Sequence, residues 1–448
     1  MLPIEIDKMS NKIPAFLITG LFFISTLQAQ TIRQIKQMAY DDSLRLVEIF
    51  KDLHQNPELG FMEVRTAAIV AKELKTLGYE VTTGIAKTGV VGVLKNGNGP
   101  VVLYRADMDC NSVKEITGLT YASTKFVKTE DGIEVPLMHA CGHDAHLTWM
   151  LGIAKIMVQL KNEWKGTLVL LAQPAEELLQ GARAMVDDNM YEKGIPVPDY
   201  LLAMHTWPVA VGTVINGIGV RSAGSDQLDV IFHGVGGHGS APDGAKDPIV
   251  MASMAIIQYQ TIISRKVAPQ DVAVLTVSAL HAGTDYNIIP STASLKLNLR
   301  WFKENTRNII LDGIKSINEG LAVANGLSKD LYPGIIMKGN AYPLLNDTTL
   351  TGKINANLAK VIPAEKIITN LPPIMGSEDF PLLGTHNKKS VYDYLFVGIA
   401  STDVMLKAIS EGKKYPFYHH TPNYQVDLSA IPLGTLIGAT ALLEVFKK

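Results

Sequence analysis

The chain has 448 residues, of which 47% are hydrophobic and 19% charged, and its formal net charge is −2. That length exceeds what one core usually supports, so two units are expected, and the composition excludes a disordered or collagen-like polymer. With no excess of basic side chains to neutralise phosphates, the sequence argues against a nucleic-acid partner and for a small, weakly charged ligand.

Lys8 and Lys12 precede an apolar run from Ile13 to Leu27 that ends in Ser25-Thr26-Leu27-Gln28-Ala29, the pattern of a cleavable signal peptide. The run is short for a membrane-spanning helix and no stop-transfer charges follow. Residues 1–29 are therefore expected to be removed on export to the periplasm or the medium, leaving a mature chain without an integral membrane segment. Only Cys110 and Cys141 are present, too few for a disulfide framework. A single bridge between them is the alternative to two free thiols.

Apolar residues recur at helical spacing over Ile32–Leu53 and Thr66–Leu77, separated by the turn-forming segment His54-Gln55-Asn56-Pro57-Glu58-Leu59-Gly60. Short apolar runs at Gly89–Leu94, Val101–Tyr104, Thr167–Ala172 and Tyr200–Met204 alternate with helical stretches such as Leu147–Leu160. Strands alternating with helices predict an α/β fold whose mainly parallel sheet is covered on both faces. From about Val220 the pattern changes to half-buried alternation at Gln227–His233, Val272–Leu280 and Ser294–Arg300, with long helices at Pro248–Ile263 and Arg307–Asn325. Near Tyr342 the chain returns to the first pattern, with a helix over Thr349–Val361 and a strand over Tyr394–Val397. The expected organisation is a first unit built from residues 30–219 and 341–448, with residues 220–340 inserted as an α+β unit.

Chemistry-bearing residues collect at the predicted strand ends, where open parallel sheets place their ligands. His139-Ala140-Cys141-Gly142-His143 offers a thiolate and an imidazole two positions apart, which on an extended segment would face one site. The strand Thr167–Ala172 runs into Glu176-Glu177, paired carboxylates that are costly to bury unless a cation or a proton-transfer role employs them. Tyr200–Met204 ends in His205, and a late His419-His420 pair precedes Thr421-Pro422.

These residues sit in seven motifs that occur in order: Asp52-Leu53-His54-Gln55-Asn56-Pro57-Glu58, Arg105-Ala106-Asp107-Met108-Asp109, Met138-His139-Ala140-Cys141-Gly142-His143-Asp144, Gln173-Pro174-Ala175-Glu176-Glu177, Gly236-Gly237-His238-Gly239-Ser240-Ala241-Pro242, Asn287-Ile288-Ile289-Pro290 and Glu378-Asp379-Phe380. Over roughly Asp42 to Phe446 the chain resembles the metal-dependent amidohydrolases and carboxypeptidases of peptidase family M20, in the branch of hippurate hydrolases, N-acyl-amino-acid deacetylases and auxin-conjugate hydrolases. The resemblance implies a zinc-peptidase-like catalytic unit with an inserted lid and dimerisation unit. It implies two divalent metal ions, zinc first and manganese, cobalt or nickel as alternatives, held by Cys141, His143, Glu177, His205 and His420, with Cys141 bridging. Glu176 would be the general base, and Asp107 and Asp109 would orient ligands, Asp109 being favoured for a histidine. His238 would support the oxyanion from the lid of a partner chain in a homodimer, and Asn287 and Arg300 would contact a small N-acyl amino acid or short peptide. His139, His146 and His419 are expected to shape the site or support its ligands rather than bind metal directly, and the choice of His420 over His419 rests on its spacing to Pro422.

Two departures lie near the expected pocket. Cys110-Asn111-Ser112 replaces the family's usual Ala-Leu-Pro, and Leu178-Leu179-Gln180 replaces its glycines. Two other readings use the same residues. A thiol hydrolase built on Cys141 leaves the paired glutamates idle, and a noncatalytic periplasmic binding protein has no use for a metal set beside Glu176.

Overall fold

The computed structural model describes residues 30–129 and 132–447; the expected export signal lies outside them. An eight-stranded sheet runs in the order Glu80–Ile85, Gly89–Asn96, Gly166–Gln173, Val101–Asp107, Tyr200–Ala210, Val391–Ala400, Val214–Ile215 and Ile367–Ile368. The four middle strands, Gly166–Gln173 to Val391–Ala400, pair in parallel, and Gly89–Asn96 and Val214–Ile215 join them antiparallel. Three of the middle strands, Val101–Asp107, Gly166–Gln173 and Val391–Ala400, are almost continuously buried, which is why they read as apolar runs rather than as alternation.

Helices cover both faces. On one, His143–Gln159 packs on Ala430–Val445 and Ser43–Gln55 around Leu46, Phe50, Trp149 and Ile153. On the other, Val91, Leu103, Val169, Leu201 and Phe396 meet the short helix Gly181–Asp187 and the turn Phe380–Gly384. No helix of the described residues is long and apolar enough to cross a membrane.

The chain leaves this sheet through Gly219–Ser222 and returns through Leu344–Asn346, which pair antiparallel with each other. Between them lies a four-stranded antiparallel sheet in the order Ala273–Ala282, Thr292–Trp301, Gly224–His233 and Gly334–Ala341. Helices Pro248–Thr261 and Glu304–Ala324 cover one of its faces around Phe232, Tyr259, Leu295 and Ile314. Sequence alternation does not predict Gly334–Ala341: the strand lies at an edge, keeps Ile335, Ile336 and Met337 exposed, and carries a register shift beside Gly339.

Two local expectations are corrected. Tyr200–Met204 does not end at His205, because the strand continues to Ala210 in register with Val391–Ala400. Cys141 and His143 do not share an extended segment, because Gly142 turns into the left-handed region at φ 84° and His143 starts a helix. A Cβ on Gly142 would lie 2.5 Å from the Tyr424 hydroxyl and 2.6 Å from Thr206 Oγ1, so only glycine allows this turn.

Candidate active site

The cluster forms where the middle strands end. Val101–Asp107 ends at Asp107, Gly166–Gln173 runs on to Glu176 and Glu177, Tyr200–Ala210 carries His205, and the helix His143–Gln159 brings its first residue to the same place. Ligand atoms of Cys141, His143 and Glu177 all lie within 4.8 Å of one another, as do those of Cys141, His205 and His419. Cys141 and Cys110 are free and buried, which removes the bridge alternative.

Each histidine is set by the partner of one ring nitrogen. His143 Nδ1–H donates to Asp109 at 3.2 Å, leaving Nε2 buried with no hydrogen-bond partner. His205 Nδ1–H donates to the Thr206 carbonyl at 2.7 Å, so its Nε2 presents a lone pair 3.4 Å from Cys141 Sγ. His146 is used up: Nδ1–H donates to Asp107 at 2.6 Å, and Nε2 accepts from Thr206 N–H at 2.9 Å. His419 Nε2–H donates to the Thr206 carbonyl at 3.1 Å, whereas His420 Nε2 lies 3.2 Å from Glu177 Oε1. His139 is buried with neither ring nitrogen partnered, and burial, aided by nearby His143 and His54, pulls its pKa down to about 4.

The two glutamates differ in charge environment. Burial raises Glu176 well above the usual carboxylate range, and Glu378, Glu177 and Asp379 push it further. Burial would also raise Glu177, but the adjoining His420, His143 and Asn111 outweigh it and hold the group at about 2. Burial lowers His143, yet Asp107, Asp109 and Glu177 overcome this and push it up to about 10. Anions thus surround donor atoms that lack partners, and the set mixes a thiol, imidazoles and carboxylates, which suits divalent cations of borderline softness. The residues present fit a metal centre.

Three further residues hold this edge together. Arg105, fully buried, donates to Asp107 at 2.7 Å, Glu378 at 2.7 Å and Gln173 at 2.9 Å. Tyr394 donates to Glu378 at 2.7 Å, keeping that carboxylate beside Glu176. His54 bridges Asp144 at 2.6 Å and Glu115 at 3.2 Å, tying the start of the His143 helix to the preceding loop. The Arg105, His54 and Glu378 motifs were visible in the sequence, but only the fold shows what they bind.

The donors open into a cleft of about 280 Å³. Opposite them stand Arg300, Ser377, Gln227 and Ser222, and Leu179, Trp207, Leu344, Ile374 and Phe396 form an apolar wall. Arg300 is half-buried, with Nε donating to Asn298 at 2.8 Å and Nη1 to Ser377, and it has no carboxylate in ion-pair range among the described residues. The Ser222 hydroxyl is buried and unpartnered. His238 and Asn287 do not line this cleft. They sit together at the two-stranded pairing of Gly237–His238 with Ile288–Ile289, where Gly239 N–H donates to the Asn287 carbonyl and the exposed His238 contacts Ser240.

Residues 103–444 match peptidase family M20/M25/M40. Hippurate hydrolase of Campylobacter jejuni is 39% identical over 351 residues, covering 78% of this chain and 87% of its own. N-acetyl-L-cysteine deacetylase of Bacillus subtilis is 35% identical over 340 residues, covering 75% of this chain and 76% of its own. The crystal structure of the Bacillus subtilis YXEP protein, described as a dinuclear metal-binding peptidase from the M20 family, superposes with a TM-score of 0.69 at 25% identity, covering 91% of this chain and 99% of that one.

Proposed function

This chain belongs to peptidase family M20/M25/M40 and is a hydrolase of that family, and from that premise we propose that it cleaves the amide bond of N-acyl amino acids or short peptides with two divalent cations bound. Cys141, His143, Glu177, His205 and His420 would hold them, zinc first, with manganese, cobalt or nickel as alternatives. His420 is preferred to His419 on its spacing to Pro422 and on the 3.2 Å approach of its Nε2 to Glu177 Oε1, and His419, whose ring groups with Cys141 and His205, is the alternative ligand. When bound, the cations supply Lewis acidity, polarising the scissile carbonyl and making water a nucleophile near neutral pH.

The observation that carries this reading is geometric: donor atoms of Cys141, His143 and Glu177 lie within 4.8 Å of one another, and the Glu176 carboxylate stands beside them, 3.9 Å from His143 Nε2. Glu176 takes the proton of the attacking water and returns it to the leaving nitrogen. Glu378, held by Arg105 and Tyr394, stands beside that carboxyl and raises its proton affinity. Asp109 orients His143, and Asp107 secures Arg105 and His146. Arg300, lacking a counterion, binds the substrate carboxylate.

His238 and Asn287 act across a homodimer, complementing the cleft of the partner chain. Exposed apolar side chains beside them, Tyr286 and Ile288, and Val250, Met254 and Ile257 on one helix, supply a surface for pairing. The inserted unit serves as lid and dimerisation unit, and the mature protein works in the periplasm or outside the cell. N-terminal sequencing of the native protein tests the last point: a chain retaining residues 1–29 rejects it.

The test of the reaction is a pair of variants. Glu176→Gln should retain its metals and lose at least about a hundredfold in kcat on N-acetyl or N-benzoyl amino acids. Glu177→Gln should lose metal first. The opposite pattern would reverse the two roles.

A further inference from the structure

The loop directly after Glu177 contains a backbone conformation that leucine rarely adopts. Leu179 has φ +53° and is 7% exposed. Its N–H donates to the Glu176 carbonyl at 2.7 Å, and the N–H groups of Gln180 and Gly181 both reach the Ala175 carbonyl, making a tight turn off the catalytic pair. A bulky side chain held at positive φ is paid for by its surroundings, and here those surroundings are specific.

The residue borders two cavities. One is the catalytic cleft of about 280 Å³; the other is an outer groove of about 320 Å³ bordered by Phe61, Arg183, Met337 and Lys338. Leu179 is the residue that lines both. The turn is clamped from the side of the second sheet, where a Cβ on Gly339 would meet the Leu178 carbonyl at 3.1 Å and the Leu179 carbonyl at 3.5 Å, and where Gln180 Nε2 donates to the Lys338 carbonyl at 3.3 Å. On the opposite side, the Leu178 side chain would lie 3.3 Å from a Cβ on Gly60. The turn that carries the leucine is therefore packed against Gly339 on one side and, through Leu178, against Gly60 on the other.

We propose that Leu179 is a specificity-determining partition that closes the catalytic cleft off from the outer groove and confines the enzyme to compact acyl groups. The proposal rests on the hydrolase reading above. An elongated acyl chain leaving the cleft toward the groove meets the leucine before it reaches the apolar surfaces of Phe61 and Met337. Removal of the side chain joins the two spaces and gives a long chain a continuous apolar path. Glycine at this position also accepts the existing φ, so the turn itself is retained.

The experiment compares N-acetyl, N-hexanoyl and N-dodecanoyl derivatives of one amino acid on metal-loaded wild type, Leu179→Gly and Leu179→Ala, with folding checked by thermal melting. Wild-type kcat/KM should fall at least about tenfold from acetyl to dodecanoyl, and the dodecanoyl-to-acetyl ratio should rise at least about tenfold in Leu179→Gly. Equal treatment of the two chains by wild type, or an equal loss on all substrates in both variants, overturns the proposal. A crystal structure of Leu179→Gly decides it without turnover: the cleft and groove should be continuous, and two separate cavities would overturn it. A wild-type enzyme inactive on every N-acyl amino acid would instead reject the hydrolase reading, with the crystal structure still deciding the partition.

Discussion

Replacing Asp109 by alanine tests how the donors are held. This carboxylate is 1% exposed; Oδ1 accepts from His143 Nδ1 at 3.2 Å and Oδ2 accepts from Glu177 N–H at 3.0 Å. One side chain therefore orients the ring of one expected ligand and the backbone of another. Loss of a single orienting partner lowers metal affinity about 10–100-fold, which is roughly 1.4–2.7 kcal/mol. The alanine variant also strands a Glu177 N–H, at a cost of about 1–3 kcal/mol. Because both effects fall on the same centre, Asp109→Ala is expected near the hundredfold end. Asp109→Asn keeps one oxygen acceptor and should lose about tenfold. Zinc titration against a chromophoric chelator reads both values, and circular dichroism confirms folding. Metal affinity in folded Asp109→Ala within about threefold of wild type would refute the orienting role.

Arg300→Ala should make substrates with a free carboxylate and their carboxamides nearly equivalent, whereas wild type should favour the acid at least about tenfold in kcat/KM, or roughly 1.4 kcal/mol; equal treatment by wild type ends the claim. Burial lowers the His54 pKa, but Asp144 and Glu115 reverse this and push it up to about 9 from 6.5. The protonated ring stabilises the fold fully below pH 6.5, and its contribution, on the order of 3 kcal/mol, is lost as pH rises through 9. Wild-type unfolding free energy should therefore decline over that window more steeply than that of His54→Gln, which keeps the contribution of His143 but lacks that of His54; equal slopes in the two proteins assign the difference elsewhere. Mixing His238→Ala with Glu176→Gln subunits should restore partial activity, and no recovery in verified mixed dimers would exclude supply of His238 from the partner.

The middle strands were legible because burial on both faces makes Val101–Asp107 and Gly166–Gln173 nearly uniform apolar runs. Motif spacing likewise pointed to Cys141, His143, Glu176, Glu177 and His205 as one group. The geometry that joins them was not legible. Gly142 signals flexibility in sequence, but its left-handed φ and the crowding by Tyr424 and Thr206 are tertiary facts. His205 reads as a strand end because polar Thr206 follows the apolar run, yet pairing with Val391–Ala400 carries the strand onward. The edge strand Gly334–Ala341 was hidden by its exposed apolar residues and two glycines. His238 and Asn287 look like cleft residues by motif, while this chain's own fold carries them to a separate strand pair.

Metal stoichiometry measured together with turnover tests the central claim most directly. Protein stripped by a chelator should be folded and inactive on N-acetyl and N-benzoyl amino acids, and stepwise addition of zinc or manganese should restore hydrolysis until two ions are bound per chain. Full activity in protein that elemental analysis shows to be metal-free would contradict the account.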